Sequence, residues 1–183
     1  MHRRTNRKPR PPLNRERLDE LALAYVGRFA TTRAKLRSYL LRKVRERGWD
    51  GEPPADPDAV AERLAALGYI DDAAYALSKS RGLTVRGYGA KRVEQSLRSA
   101  GVADPDAIAA RDHAHAGRVE SAVRFAERRR LGPFASEAGD RKARERAIAA
   151  MIRAGHRFSL ARAIVDMAPG AAINVVELSE NSG

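Results

Sequence analysis

The chain has 183 residues and a formal net charge of +12, from 35 lysines and arginines against 23 acids, and it has no cysteine. Without cysteine it can form neither a disulfide nor a thiolate metal site, and no apolar run of about eighteen residues predicts a membrane helix. The basic excess favours a polyanionic partner, either nucleic acid or an acidic protein surface. We expect a helical protein that works in the cytoplasm.

The first seventeen residues carry half of the excess charge. They contain seven basic residues and one acid, Glu16, and so contribute +6. Prolines interrupt residues 1–13, where almost nothing is apolar, so this segment is predicted to be a disordered basic arm that is attracted to polyanions. A solubilising tail without a specific partner is the alternative.

Residues 14–67 are predicted to form a first three-helix unit. The helices are expected near residues 15–29, 32–47 and 57–67, with Thr31 or Thr32 capping the second and Asp56 preceding a proline at the start of the third. The second helix has an apolar stripe on one face, and its basic face is predicted to bind a polyanion. The basic residues of this helix are Arg33, Lys35, Arg37, Arg42, Lys43, Arg45 and Arg47.

Two further units follow. Residues 68–114 are predicted to form a second unit, whose second helix follows the segment 86–89 and whose third begins at 104–108, which repeats 56–60 nearly letter for letter. Residues 115–168 are predicted to form a third, with about six extra residues in the loop 131–139. Residues 169–183 are predicted to be a flexible tail.

Three glycines mark a repeat in the sequence. Gly48, Gly101 and Gly155 each follow a helical segment, and they are 53 and 54 residues apart. A fixed period of this size predicts one supersecondary unit used repeatedly, in which each copy buries its apolar face against the next. The sequence therefore predicts an all-α fold, an elongated array of three tandem three-helix repeats.

The residue after each glycine bears on how the helix before it ends. A helix that ends at a left-handed glycine usually makes an apolar contact between the next residue and one four positions before the glycine. The corresponding residues are Val44 with Trp49 and Leu97 with Val102. In the third copy His156 replaces the apolar residue, so we expect that cap to be weaker or differently packed.

No group of residues predicts an enzyme, a cofactor or a metal centre. His113 and His115 are two positions apart, which places them on different faces of a helix. Asp71 and Asp72 could be magnesium ligands of a nuclease, but adjacent acids at a helix start more often cap it. The segment 87–89 could bind a phosphate at the start of a helix, and a flexible turn is the alternative.

A set of short motifs runs through the first two units, between Leu18 and Ile108. In chain order they are Leu23-Ala24-Tyr25, Arg33-Ala34-Lys35-Leu36, Tyr39-Leu40, Leu67-Gly68-Tyr69-Ile70-Asp71-Asp72, Tyr75-Ala76, Arg81, Arg86-Gly87-Tyr88-Gly89, Arg92-Val93, Leu97 and Gly101-Val102. This pattern resembles the RecX family, bacterial regulators of the RecA recombinase. The resemblance weakens beyond Ile108.

The resemblance implies a curved array of helix-turn-helix-like units that lies along a RecA filament on single-stranded DNA. It implies inhibition of RecA by blocked filament growth or by disassembly, which modulates recombination, DNA repair and the SOS response. The implied partners of a monomer are the RecA filament and single-stranded DNA, directly or through RecA. The residues inferred from charge and position to face the filament are Arg28, Arg33, Lys35, Arg37, Lys43, Arg81, Arg86, Lys91, Arg92 and Arg98.

Two rival functions remain open from the sequence. The stronger is a basic helix-turn-helix-like protein that binds DNA directly, because a basic second helix in a three-helix unit is typical of recognition helices. The other is a nuclease that uses Asp71 and Asp72.

Overall fold

The computed structural model describes residues 11–180, and within that range the chain is helical, with one isolated β-bridge and no strand. The helices are α1 (Arg15–Val26), α2 (Arg33–Arg47), α3 (Pro57–Ala66), α4 (Asp72–Val85), α5 (Ala90–Ser99), α6 (Asp104–Ala116), α7 (Arg118–Arg129), a 3₁₀ turn (Gly132–Phe134), α8 (Arg141–Arg153), α9 (Phe158–Val165) and α10 (Val175–Glu180). The predicted all-α fold is confirmed.

The described part of the chain divides into two compact units, with the boundary between Asp71 and Asp72. We call them unit 1 and unit 2. Unit 1 contains α1–α3, and unit 2 contains α4–α10. The second and third helix triplets, which the sequence separates at residue 114, therefore share one compact unit.

Unit 1 begins its second and third helices at caps that the sequence predicts. The Thr32 Oγ1 atom accepts a hydrogen bond from the Lys35 amide at 3.1 Å, and Asp56 Oδ1 accepts one from the Ala59 amide at 2.9 Å. Each satisfies an amide that the first helical turn leaves without a partner. Buried side chains of all three helices form the core, and the leucines among them are Leu18, Leu36, Leu40 and Leu64.

Unit 1 includes residues that the sequence assigns to the basic arm. Leu13 is fully buried in the core, its amide donates to the Gly48 carbonyl at 3.0 Å, and its carbonyl accepts from the Asp50 amide at 2.7 Å. The Pro11 carbonyl accepts two hydrogen bonds from Arg47. One leucine in a segment rich in proline and arginine is thus enough to anchor it, and the rest of the predicted arm, residues 1–10, lies outside the described residues.

Unit 2 has two apolar clusters. One is formed by α4–α6 around Val93 and Leu97, and the other by α7–α10 around Phe125, Met151 and Ile164. Tyr88, in the loop between α4 and α5, packs against both clusters. A single side chain therefore helps to join the two helix groups.

The second helix of each triplet ends before a glycine with positive φ, as the repeat predicts, but the caps differ. At Gly101, with φ 68°, the Val102 amide donates to the Leu97 carbonyl at 3.2 Å, which is the expected arrangement. Gly48 has φ 80° and ψ 171°, and here only the amide of the glycine itself donates to the preceding helix, to the Val44 carbonyl at 2.8 Å. The chain after Gly48 is extended because the Gly48 carbonyl and the Asp50 amide both form hydrogen bonds with Leu13.

The third cap keeps its backbone hydrogen bond and uses its histidine elsewhere. The His156 amide donates to the Met151 carbonyl at 3.1 Å, in the same pattern as Val102 and Leu97 at the second glycine. Its side chain is only 2% exposed, its Nε2–H donates to the Gly87 carbonyl at 3.1 Å, and its ring centroid lies 5.7 Å from that of Phe125. The cap is therefore differently packed, and its histidine links α8 to the loop before α5.

Two backbone segments touch beside this histidine. The Gly89 amide donates to the Ala154 carbonyl at 2.9 Å, and the Lys91 amide donates to the Gly155 carbonyl at 3.2 Å. A Cβ atom added to Gly89 would lie 2.5 Å from the carbonyl carbon of Gly155 and 2.7 Å from the amide nitrogen of His156. Only glycine permits this approach, which we call the glycine joint.

The C-terminal segment is more ordered than predicted. Residues 175–180 form α10, Leu178 is buried against α7, and the Ser179 carbonyl accepts from Arg118 at 3.0 Å. The expectation of a flexible tail over 169–183 is wrong for this part. The extended loop 131–139 also contains an ordered 3₁₀ turn, whose Pro133 is buried.

The glycine joint predicts the stability of two alanine variants. Gly89→Ala should lower the free energy of unfolding by about 1–3 kcal/mol, because the added carbon meets backbone atoms that have little freedom to move. Gly82→Ala is the control, since Gly82 lies in the last turn of α4 and a Cβ there would meet nothing within 4 Å. That change should raise stability by about 0.5–1 kcal/mol. Urea unfolding measures both, and equal effects would contradict the joint.

The buried histidine predicts a dependence of stability on pH. Burial lowers the pKa of His156 below its ordinary value of 6.5, and the hydrogen bond to Gly87 only partly opposes this shift. A histidine whose folded pKa is depressed contributes stability above its unfolded pKa that is lost as the pH falls through the folded value. Unfolding between pH 7 and about 5, above the range in which most carboxylates titrate, should show this loss. His156→Gln should flatten the profile, whereas exposed His115→Gln should leave it unchanged.

Candidate partner-binding surfaces

The ten basic residues predicted to face a partner fall on both compact units. Unit 1 carries the first five and unit 2 the other five, and apart from half-buried Arg33, Lys35 and Lys43 all of them are exposed. Those of unit 1 are Arg28, Arg33, Lys35, Arg37 and Lys43, and those of unit 2 are Arg81, Arg86, Lys91, Arg92 and Arg98. Each unit thus presents its own basic surface.

Acids from a neighbouring helix neutralise part of the basic face of α2. Arg37 forms an ion pair with Asp58 of α3, and Arg33 lies 3.5 Å from Glu62, also of α3. Within α2, Lys43 bonds Glu46 at 2.5 Å. The positive electrostatic field of this helix is therefore weaker than its sequence alone indicates, because α3 places two acids on the same surface.

Arg28 differs from these residues. It lies in the turn after α1, it is exposed, and within residues 11–180 its side chain forms no ion pair. Its charge is therefore available to a partner at the end of α1.

In unit 2, one side of α5 faces a cleft of about 560 Å³. The cleft lies between α5, α6 and the beginnings of α7 and α9, and Val93, Ala114 and Leu160 supply apolar lining. Its rim holds an excess of cations over acids. The acids are Glu94 and Asp112, and the five cations, from four helices and their caps, are Lys91, Arg98, Arg111, Arg118 and Arg157. A cleft of this size, apolar within and basic at the rim, suits an acidic partner that also carries apolar groups.

Three of these cations already have partners. Arg98 lies 3.5 Å from Glu94, and Arg118 donates to the His115 and Ser179 carbonyls. The Arg111 Nε atom lies 2.8 Å from Glu94 Oε2, and its Nη2 lies 2.6 Å from Asp104 Oδ1. These hydrogen bonds hold the pKa of both carboxyls below their usual range and raise that of Arg111. Arg111 therefore acts mainly as a brace between α5 and α6, which leaves Lys91 and Arg157 as the cations less committed to acids.

The other side of α5 contributes to a shallower depression of about 370 Å³. Arg86 and Arg92 line it together with Lys79 and the ring of Tyr88. Arg92 also bonds the Gln95 side chain at 2.8 Å, and the Arg86 guanidinium lies 6.0 Å from the centre of the Tyr88 ring. The structure thus brings Arg86 and Arg92 together, and it places Lys91 and Arg98 in the cleft.

The sequence alone does not identify Arg111, Arg118 and Arg157 as members of one surface. They belong to different helices, and the sequence does not show that these helices meet. Arg111 is 17 residues from Glu94 and 7 from Asp104, the two acids that it bonds. Arg118 and Arg157 share one sequence signal, a basic residue at or next to the start of a helix, whereas Arg111 lies in the middle of α6. That signal is too common to identify a surface without the fold.

The phosphate site considered at residues 87–89 is wrong. The Gly87 and Tyr88 amides donate to carbonyls of α4, and the Gly89 amide donates to the Ala154 carbonyl. Because these donors are used within unit 2, none of them is free to bind an anion.

The residues considered for metal chemistry do not gather. His113 Nε2 lies 3.2 Å from Thr84 Oγ1, whereas His115 is exposed at the cleft. Asp72 is buried at the start of α4 and Asp71 is exposed. Across residues 11–180, no three histidines or acids form a group that could hold a metal ion. In the same range, no helix is long and apolar enough to cross a membrane.

Comparison with known proteins finds relatives that cover most of the chain. It is 36% identical over 160 residues to the "Regulatory protein RecX" of Myxococcus xanthus (strain DK1622), covering 83% of this chain and 86% of that protein. It is 35% identical over 159 residues to the protein of the same name from Mycobacterium sp. (strain KMS), covering 80% and 81%. No protein-family model matches the chain.

A solved structure shares the fold. The crystal structure of RecX from Lactobacillus salivarius superposes with a TM-score of 0.64 at 22% identity, covering 82% of this chain and 93% of that one. At this identity the similarity concerns the fold alone.

Proposed function

Because the chain belongs to the RecX family of regulatory proteins, we propose that it binds the RecA filament on single-stranded DNA and inhibits it. It limits filament growth or promotes disassembly, and so modulates recombination, DNA repair and the SOS response. The observation that carries the proposal is the 36% identity over 83% of the chain to a regulatory protein RecX. We propose that it acts as a monomer in the cytoplasm and without catalysis of its own.

The three helix triplets support a mode of binding. We propose that α1–α3, α4–α6 and α7–α9 are copies of one unit, since the second helix of each ends before a glycine with positive φ. A protein with similar units in series is suited to a polymer of identical protomers. Contacts that are weak one by one then add through a high effective concentration.

The basic surfaces indicate which chemistry the filament would offer. We propose that the cleft of unit 2 receives an acidic surface of RecA, with Lys91 and Arg98 on the α5 side and Arg157 opposite. These cations are at or near the surface, so their attraction acts over about 8–10 Å at physiological salt and weakens as salt rises. Inhibition at a fixed protein concentration should therefore decrease with ionic strength.

Hydrolysis of ATP by the organism's own RecA on single-stranded DNA tests the function. With DNA in excess, this protein should inhibit hydrolysis at concentrations well below that of RecA, because blocking one growing end affects many protomers. A protein that merely competes for DNA would need to approach the concentration of DNA sites. Failure of the folded protein to inhibit would contradict the proposal and favour direct DNA binding.

The cleft is tested by a matched pair of double charge reversals. Lys91→Glu with Arg98→Glu should weaken inhibition by tenfold or more, since two reversed charges at a binding surface each cost on the order of 1 kcal/mol. Arg146→Glu with Arg153→Glu is the control, because it reverses two exposed cations at the same spacing on α8. Circular dichroism verifies the fold of both. Equal losses would assign the effect to net charge and not to the cleft.

A further inference from the structure

Three aromatic side chains gather on unit 1, at the end of α1 and the middle of α2. The rings of Tyr25 and Tyr39 are stacked, with centroids 4.4 Å apart and an interplanar angle of 23°. Phe29, one helical turn after Tyr25, lies against it with centroids 5.3 Å apart. We call these three residues the aromatic cluster.

The outer member of the cluster is not part of the core. Tyr25 and Tyr39 are half-buried and pack against the core of unit 1, whereas Phe29 does not pack there and is 56% exposed. More than half of the Phe29 surface remains in water, so folding recovers only part of the free energy that full burial of this ring would give. The cluster therefore has an anchored inner side and an open outer ring.

Cations surround the cluster. The Arg42 guanidinium lies 5.6 Å and the Lys43 ammonium 5.8 Å from the centre of the Tyr39 ring. Both approach one acid, Glu46, at 3.6 Å and 2.5 Å, so a single negative charge is shared between two positive ones. Arg28 precedes Phe29 directly. The net charge of the four charged residues is +2.

We propose that the aromatic cluster, with Arg28, Arg42 and Lys43, is a binding site for single-stranded nucleic acid. Bases stack on the open ring of Phe29 and on the exposed parts of the tyrosines, and the cations bind phosphates. Aromatic rings interleaved with cations are the usual means of binding single strands, because every base has a face that can stack. The inference deepens the proposed function, on which its biological meaning rests, by giving the strand a direct contact.

The chemistry favours a single strand over the other acidic partners. In a duplex the faces of the bases are stacked on one another, so a duplex would contact the cations but could not stack on the aromatic rings. An acidic protein surface would likewise meet the cations without needing aromatic faces. The stacking contribution is therefore the property that identifies the ligand.

Binding is tested without RecA, by fluorescence anisotropy on the full chain. The probes are a labelled oligo(dT), an abasic oligonucleotide of equal length and charge, and a duplex. The native protein should bind oligo(dT) at least tenfold more tightly than the abasic strand, since one stacked base is worth about 1–3 kcal/mol. This comparison needs no variant, and the basic N-terminal residues affect both strands alike.

Phe29→Leu should weaken oligo(dT) binding by about tenfold and leave the abasic strand unaffected. Phe158→Leu is the matched control, because Phe158 of α9 is 57% exposed and should not contribute. Arg28→Gln should weaken both strands and reduce the slope of log affinity against log salt by about 0.7.

Three results would overturn the site: equal affinity for oligo(dT) and the abasic strand, tighter binding of the duplex, or equal losses in the two phenylalanine variants. Polyglutamate is a competitor that models an acidic protein. If it displaces oligo(dT) from the Phe29→Leu variant as readily as from the native protein, the surface would be assigned to an acidic protein instead. Since RecA is absent, these failures are distinct from a failure to inhibit ATP hydrolysis.

Discussion

The backbone contact between Gly89 and Gly155 determines how unit 2 is built. It lets the start of α5 meet the end of α8 through hydrogen bonds between main-chain atoms, with no side chain between them. Because the contact is so close, the buried imidazole of His156 reaches the Gly87 carbonyl and Tyr88 reaches both apolar clusters. The cleft beside α5 is a consequence, since the same contact sets α5 opposite the start of α9.

Local features of the fold were predictable from the sequence, whereas its contacts between helices were not. The caps at Thr32 and Asp56 follow from residue types that accept hydrogen bonds at a helix start. The likeness of residues 104–108 to 56–60 does not extend to the helix cap. Helix α6 begins at Asp104 itself, and the Asp104 carboxylate bonds Arg111 instead of a main-chain amide. Which acid a cation meets depends on the packing of distant helices, and a linear pattern carries no information on that.

The same limit applies to the candidate surfaces. A run of cations along α2 indicates a strong positive field, but Asp58 and Glu62 of α3 lie against it. What remains effective is charge that packing leaves uncommitted, such as Arg28 beside the exposed ring of Phe29. Composition predicts an acidic partner, and only the fold separates cations that brace helices from cations that packing leaves available to a ligand.

Stacking and charge respond differently to salt, and this difference would give the two proposed attachments different roles. Contacts between cations and phosphates or carboxylates weaken as counterions accumulate, whereas stacking on aromatic rings loses little. A protein that holds a strand by stacking in unit 1 and an acidic surface by charge in unit 2 would keep its hold on the strand when the second contact is released. Each contact raises the effective concentration of the other. Moderate affinity at each surface would then suffice for persistent residence on a filament, and loss of either would shorten that residence more than its own free energy suggests.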